Sequence, residues 1–317
     1  MRAGRAVAAT LTGVAAAGAA AFAWGALVER TRFTVRHEIV PVLEPGARPL
    51  TVLHLSDLHM APWQTAKQEF VRSLIRYEPD LVVDTGDNLG HTDGLGGVEY
   101  ALAPFAGIPG VFVHGSNDYY GPVFKNPFRY FVTLEDTRSR RADLDTAGME
   151  GFFENQLGWL DLNNTARAIE IRGTRIELFG TNDAHRDWDR LDLLPGAIEA
   201  VRENVGWSAS SREDVLSIGV THAPYRRVLD DFVNQGAELV LAGHTHGGQV
   251  RIPGWPAALV TNCDIPADQA QGLSRWHSGQ HDAYLNVSAG IGTSIYAPVR
   301  FACPPEAVVL TLVPRPE

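Results

Sequence analysis

Short apolar runs recur along the chain, and each breaks off into a polar cluster. Val52-Leu53-His54-Leu55 runs into Ser56-Asp57-Leu58-His59, and Leu81-Val82-Val83 into Asp84-Thr85-Gly86-Asp87-Asn88. Val111-Phe112-Val113 leads to Gly115-Ser116-Asn117-Asp118, and Leu216 to Val220 leads to Thr221-His222-Ala223-Pro224. Ala237 to Ala242 ends in Gly243-His244-Thr245-His246-Gly247-Gly248-Gln249. Short apolar runs bounded by turn residues read as buried strands. Between the first two, Gln64 to Tyr77 carries Phe70, Val71, Leu74 and Ile75 at helical spacing, which predicts an amphipathic helix over a sheet. Glu78-Pro79 ends it, because proline disfavours helix at the residue before it. A second helix is predicted from Tyr225 to about Asn234.

Later in the chain the pattern changes to hairpins. Ala166 to Ile171 and Thr174 to Phe179 flank Arg172-Gly173, a two-residue turn signature. Tyr284 to Val287 and Ala307 to Val313 read as further strands. Phe33 to Val42 has partial strand character, with Pro41 and Pro45 expected to end it. Repeated strand–helix units followed by hairpins predict an α/β fold of two packed sheets with helices outside.

The N-terminus is different. Ala6 to Val28 contains no charged residue. As a helix it would be about 34 Å long, against about 30 Å of bilayer core. Its Ala/Gly composition leaves three readings open: a retained membrane anchor, a signal peptide cleaved after Ala21-Phe22-Ala23, and a helix buried in the domain. The expected organisation is therefore an anchor or signal segment over 1–30, a tether and entry strand over 31–49, and one catalytic domain over 50–317. The expected location is the cell membrane through a single N-terminal span, with the domain outside the cytoplasm; secretion is the alternative.

Composition narrows the choices. The 317 residues are 45% hydrophobic and 20% charged, which fits a globular core. A formal net charge of −10, with no long basic run, argues against a nucleic acid polymer as partner. The two cysteines, Cys263 and Cys303, lie in no close-spaced metal pattern. A disulfide in an oxidising compartment and two free thiols both fit.

Chemistry enters at the strand ends, where open α/β sheets place their ligands. His244 and His246 are two residues apart between glycines, a spacing that lets both rings reach one metal cluster. The ordered set comprises Asp57 and His59, Gly86-Asp87, an amide at the third cluster, His222, and His244 with His246. Over roughly residues 50–312 it resembles the calcineurin-like metallophosphoesterase superfamily. The heptad from Gly243 to Gln249 resembles the superfamily's exported or membrane-anchored bacterial branch. The motif of the protein Ser/Thr phosphatase branch is absent from Gly86-Asp87-Asn88-Leu89-Gly90-His91.

The resemblance implies a four-layer αββα sandwich of two mixed sheets holding two divalent or mixed-valence transition-metal ions (Mn, Fe, Zn or Co). It implies Asp57, His59 and His246 as ligands of the first ion, Asp87 as the bridge, and Asn117, His222 and His244 on the second. It also implies hydrolysis of a phosphomonoester, phosphodiester or pyrophosphate by a metal-activated hydroxide.

One departure stands out. The family usually reads Gly-Asn-His where this chain reads Gly115-Ser116-Asn117-Asp118. Counting from Gly110 makes Asn117 the ligand and puts Asp118 in the histidine's place; counting from Gly115 puts Ser116 in the ligand's place. In the first register Asp118 is expected to face the phosphate with its pKa lowered by the metals, a poor general acid. The expected catalytic set is Asp87, Asn117 and Asp118, with His185 as a recruited acid and His91 as second choice.

Residues 119–145 crowd Tyr119, Tyr120, Phe124, Phe128, Tyr130 and Phe131 ahead of Arg138, Arg140 and Arg141. Either they form a loop facing substrate or membrane, with Tyr119, Arg140 and Arg141 contacting substrate, or they pack on the domain's own surface. With the anchor, the loop suggests a lipid-linked or nucleotide-activated lipid substrate. An envelope phosphodiesterase for soluble nucleotides or wall polymers, and a catalytically weak metal-binding module, are the alternatives.

Overall fold

The computed structural model describes residues 2–122, 142–206 and 215–316. The first sheet has the order β1 (Thr34–Leu43), β12 (Glu306–Pro314), β2 (Leu50–Leu55), β3 (Leu81–Asp84), β4 (Gly110–Phe112) and β5 (Leu160–Asp161). The second has the order β10 (Gly272–Ser278), β11 (His281–Val287), β9 (Leu239–Ala242), β8 (Val215–Thr221), β7 (Thr174–Gly180) and β6 (Thr165–Ile171). Both are mixed. β12 pairs antiparallel with β2, the β10–β11 and β6–β7 pairs are antiparallel, and all other neighbours are parallel.

Side-chain alternation builds the layers. On β2 and β3, Val52, Leu81 and Val83 point between the sheets, where they meet Ile218, Val220, Leu239 and Leu241 of the second sheet. Their neighbours Leu53, Leu55 and Val82 point outward, under α2 (Thr65–Ser73), α3 (Leu95–Leu102) and α4 (Thr146–Phe152). The outer face of the second sheet presents Phe179, Val240 and Ala242 to α5 (Leu194–Asn204) and α6 (Arg226–Asn234). Strands buried on both faces lose the apolar–polar alternation, which is why these runs read as continuous in sequence. The result is the expected αββα sandwich.

Pro41 does not end its strand. Among the described residues β1 is an edge strand, paired with β12 alone, and it continues to Leu43 with a register shift between Pro41 and Leu43. An edge position tolerates a residue without an N–H. Residues 34–43 thus belong to the first sheet. Both cysteines are free thiols.

α1 (Arg2–Leu27) leads the chain. Thr10–Thr31 is long and apolar enough to cross a membrane, and only 6% of its 18-residue apolar core is buried, so α1 is not a core helix. Its end is docked. The Arg300 amide donates to the Gly25 carbonyl (3.2 Å), the Cys303 amide to Glu29 Oε1 (2.8 Å), and Trp24 Nε1 to Glu29 Oε2 (2.9 Å). A chain starting at Trp24 keeps these bonds, and one starting at Thr31 leaves the buried Cys303 amide without its acceptor. We expect the shorter chain to lose about 1–3 kcal/mol, and the Trp24 chain to lose nothing. At about 2–4 °C per kcal/mol the difference is readable by thermal melting. Equal melting temperatures would mean that the docking contributes nothing.

Candidate metal centre

The polar clusters meet where the carboxyl ends of β2, β3, β8 and β9 converge. Asp57, His59, Asp87, His244 and His246 all have positive φ, at 51°, 41°, 57°, 67° and 49°. Non-glycine residues adopt that conformation at a cost, and such residues cluster at functional sites. Neighbouring loops hold the strained turns: the Asp57 amide donates to the Gly86 carbonyl (2.8 Å) and the His59 amide to the Asp87 carbonyl (2.9 Å). Glycines permit the crowding. A Cβ on Gly115 would lie 2.2 Å from Asp87 Oδ1, and one on Gly243 would lie 1.9 Å from Ser56 Oγ and 2.7 Å from Asp57 Oδ2.

Two ligand groups result, Asp57 with His59 and His246, and Asp57 with Asp87 and His222. His246 Nε2 is 3.6 Å from Asp57 Oδ1, and His59 Nε2 is 3.9 Å from the same oxygen. His59 Nε2 and His222 Nε2 each lie 3.5 Å from Asp87 Oδ2. These separations are long for hydrogen bonds, and they suit atoms that share an ion at about 2.0–2.2 Å from each. Asp57 Oδ1 and His59 Nε2 are buried without a hydrogen-bond partner, a costly arrangement unless a cation is their partner. His244 Nδ1 faces His222 Nε2 at 3.1 Å. His222 Nδ1 donates to the Thr85 carbonyl (2.7 Å), which leaves Nε2 of the neutral ring for a metal. The donor set therefore fits two transition-metal ions.

Two buried cations that sequence reasoning missed support the loops. Lys67 Nζ donates to the carbonyls of Leu58 (2.6 Å) and His59 (3.1 Å), and burial pushes its pKa down to about 7. Arg300 donates to the carbonyls of His246 (2.9 Å), Ala289 (2.7 Å) and Gly292 (2.7 Å), and its Nη2 lies 3.2 Å from His246 Nδ1. Lys67 sits in a polar stretch of a helix and Arg300 in an unpatterned loop. Neither carries a local signal, because their partners are carbonyls of distant turns.

Asp118 corrects an expectation. It is fully buried, and its carboxylate accepts from the amides of Asp87 (2.8 Å), Asn88 (2.6 Å), Leu89 (3.3 Å) and Gly115 (2.9 Å). It holds the Asp87 turn and does not face substrate. In the metal-free site its pKa is raised to about 8, by burial first and by Asp87 next. It is thus not a phosphate-facing stand-in for the family's histidine. Asn117 stays at the site. Its Nδ2 donates to Asp87 Oδ2 (2.6 Å) and its amide N–H to Asp87 Oδ1 (2.8 Å).

Tyr119, expected against substrate, is half-buried. Its hydroxyl is shared with His114 Nδ1 (2.8 Å) and Asn182 Nδ2 (2.9 Å), and its ring meets Trp188 edge-on, so it is part of the wall. The exposed His185 lies with its ring 4.6 Å from that of His244, and its Nδ1 is 2.9 Å from the Tyr225 hydroxyl. His91 contacts Trp63 and accepts the Asp93 amide, apart from the ligand groups. Arg138, Arg140 and Arg141, with Phe124, Phe128, Tyr130 and Phe131, lie outside the described residues.

Two expectations follow. An amide at 118 cannot serve four N–H donors as a carboxylate does. Metal-free Asp118→Asn should lose about 1–3 kcal/mol of stability by denaturant unfolding; an unchanged value would return Asp118 to a purely chemical role. The second concerns pH. Burial disfavours a charged His222, and Asp87, Asp183 and Asp57 outweigh it, raising the pKa to about 9. Metal must then displace a proton below that pH. Affinity should rise about tenfold per unit towards pH 9 and level off above it, with proton release measurable by calorimetry in two buffers. A pH-independent affinity would contradict this.

The chain is similar in sequence to known proteins. The sequence model of the calcineurin-like phosphoesterase family matches residues 50–248. The chain is 26% identical over 277 residues to the uncharacterized protein YpbG of Bacillus subtilis, covering 84% of this chain and 82% of that one. It is 27% identical over 287 residues to phosphodiesterase YaeI of Escherichia coli, covering 88% and 87%. A dimetal phosphatase from Danio rerio aligns in structure with a TM-score of 0.41 and 10% identity, over 79% of this chain and 88% of that one. With its αββα sandwich, its Asp/His cluster at the strand ends and a family match over most of its length, this chain belongs to the calcineurin-like phosphoesterases, metal-dependent hydrolases of phosphoric esters.

Proposed function

We propose that this chain is a phosphodiesterase of the exported or membrane-anchored bacterial branch, tethered by α1 with its catalytic domain outside the cytoplasm. Asp57, His59 and His246 would hold one metal ion, and Asn117, His222 and His244 the other, with Asp87 shared. The observation that carries this reading is the position of Asp87 Oδ2, 3.5 Å from both His59 Nε2 and His222 Nε2. The metals, when bound, supply Lewis-acid charge to the phosphate and lower the pKa of water. The name of YaeI, a phosphodiesterase, supports a diester as the bond cleaved. The anchor supports a lipid-linked phosphate as the substrate class.

The chain's own residues orient the site and move the proton. Asp118 fixes the Asp87 turn through the amides of Asp87, Asn88 and Leu89 and ties it to the amide of Gly115. His185 is the candidate proton donor to the leaving group, since its ring lies beside His244 and its Nδ1 is within hydrogen-bond distance of the Tyr225 hydroxyl.

The test is hydrolysis of aryl phosphodiesters with added manganese. Asp87→Asn should reduce turnover by more than about 10²-fold, because it removes charge shared by two ions. His185→Ala should spare a good leaving group and slow a poor one by about 10²-fold. Near-normal turnover by Asp87→Asn would overturn the shared role, and equal small losses on both substrates would remove His185 as the acid.

A further inference from the structure

We propose that the loops 250–260 and 294–299 form a face that seats on a phospholipid bilayer and brings the mouth of the metal centre to headgroup depth. The proposal rests on the anchor reading above and deepens it. Val250, Ile252, Trp255, Leu259, Val260 and Tyr296 are large apolar or aromatic side chains at 40–60% exposure. They lie within two short stretches that contain no carboxylate, in a protein of net charge −10. The one charged residue in those stretches, Arg251, turns inward, its Nε donating to the Gly247 carbonyl (2.7 Å). Contiguous exposed apolar groups of this kind mark interaction surfaces. Tryptophan and tyrosine favour the bilayer interface.

The occupant follows from continuity with α1. Gln249 Nε2 donates to the carbonyls of Ala297 (2.9 Å) and Val299 (3.3 Å), which joins the two loops. The same strip receives the last turn of α1. A Cβ on Gly25 would lie 2.6 Å from the Arg300 carbonyl oxygen and 3.0 Å from Val299 Cγ1. Gly25 lies inside the apolar stretch Thr10–Thr31. From Arg5 to Gly25 a helix rises about 30 Å, the thickness of the bilayer core, so a span that begins at Arg5 reaches its far edge near Gly25. Whatever packs on Gly25 is then at the interface, and Val299 and its neighbours do. A soluble partner would have to compete with lipid for this strip.

The face borders the catalytic loop directly. A Cβ on Gly248, two residues after His246, would lie 2.7 Å from Ala258 Cβ and 3.0 Å from the Val260 carbonyl oxygen. A phosphate ester carried by a lipid headgroup would thus meet the site from the membrane plane.

The full chain reconstituted in phosphatidylcholine vesicles gives the test. The emission of Trp255 is taken as the difference between wild type and Trp255→Phe, in vesicles of ordinary and of bromine-labelled lipid. Integral insertion is read separately, by retention on the vesicles after an alkaline carbonate wash. The proposal predicts that brominated lipid quenches the Trp255 emission by more than about half. Retained protein with unquenched, iodide-accessible Trp255 overturns the face and leaves the anchor standing. Trp255 shielded from both bromine and iodide assigns the face to a second copy of the chain and also overturns it. Washed-off protein whose Trp255 was quenched beforehand keeps the face and removes the anchor; washed-off, unquenched protein removes both. A triple variant, Ile252→Ser with Leu259→Ser and Val260→Ser, should lose about tenfold on a vesicle-embedded phosphodiester and nothing on a soluble aryl diester. Equal rates on the embedded substrate would count against the proposal.

Discussion

Asp87 Oδ2 faces two imidazole nitrogens at 3.5 Å, one from each side, and the rest of the molecule is arranged to make that possible. Buried carboxylates repel one another, and buried imidazole nitrogens without partners are costly, unless a cation joins them. Here the backbone also adopts positive φ at five of the residues concerned. Such an arrangement persists only when its surroundings over-determine it. The two sheets supply rigid strand ends, Asp118 ties four amides of the third cluster and the Asp87 turn together, and Lys67 and Arg300 hold the carbonyls of the outer turns. Metal binding would complete what the fold prepares.

The legible part of the site is the part encoded locally. A strand buried on both faces must be an apolar run, and a ligand at its end must be the next polar residue. Asp57, His59, Asp87, His222, His244 and His246 could therefore be picked out of the sequence. So could the hairpin at Arg172-Gly173, because turn geometry demands those residue types. The illegible part depends on distant partners. Asp118 reads as a free carboxylate beside a missing histidine, and only the positions of four amides from two loops reveal its work. Pro41 reads as a strand end because nothing local says that its strand lies at an edge. The last strand, β12, inserts between β1 and β2, which no periodicity announces.

The N-terminal segment was expected to be an anchor or signal, joined to the domain by a tether and entry strand over 31–49, with no contact of its own to the site. Its last turn instead shares hydrogen bonds with the 300–303 stretch, which contains the arginine that braces the His246 loop. The N-terminal helix, apolar face and metal loop are thus one continuous piece of structure. On the anchor reading proposed above, that continuity would tie the chemistry of the site to a membrane from which a lipid-borne phosphate arrives.

The most direct test of the account is the metal content of the purified chain. After loading with manganese or zinc and gentle desalting, elemental analysis should find close to two ions per chain, since Asp87 Oδ2 lies 3.5 Å from an imidazole nitrogen of each proposed ion's ligand set, His59 and His222. Saturation at one ion, with Asp87→Asn binding as much as wild type, would contradict the shared-carboxylate centre on which the account rests.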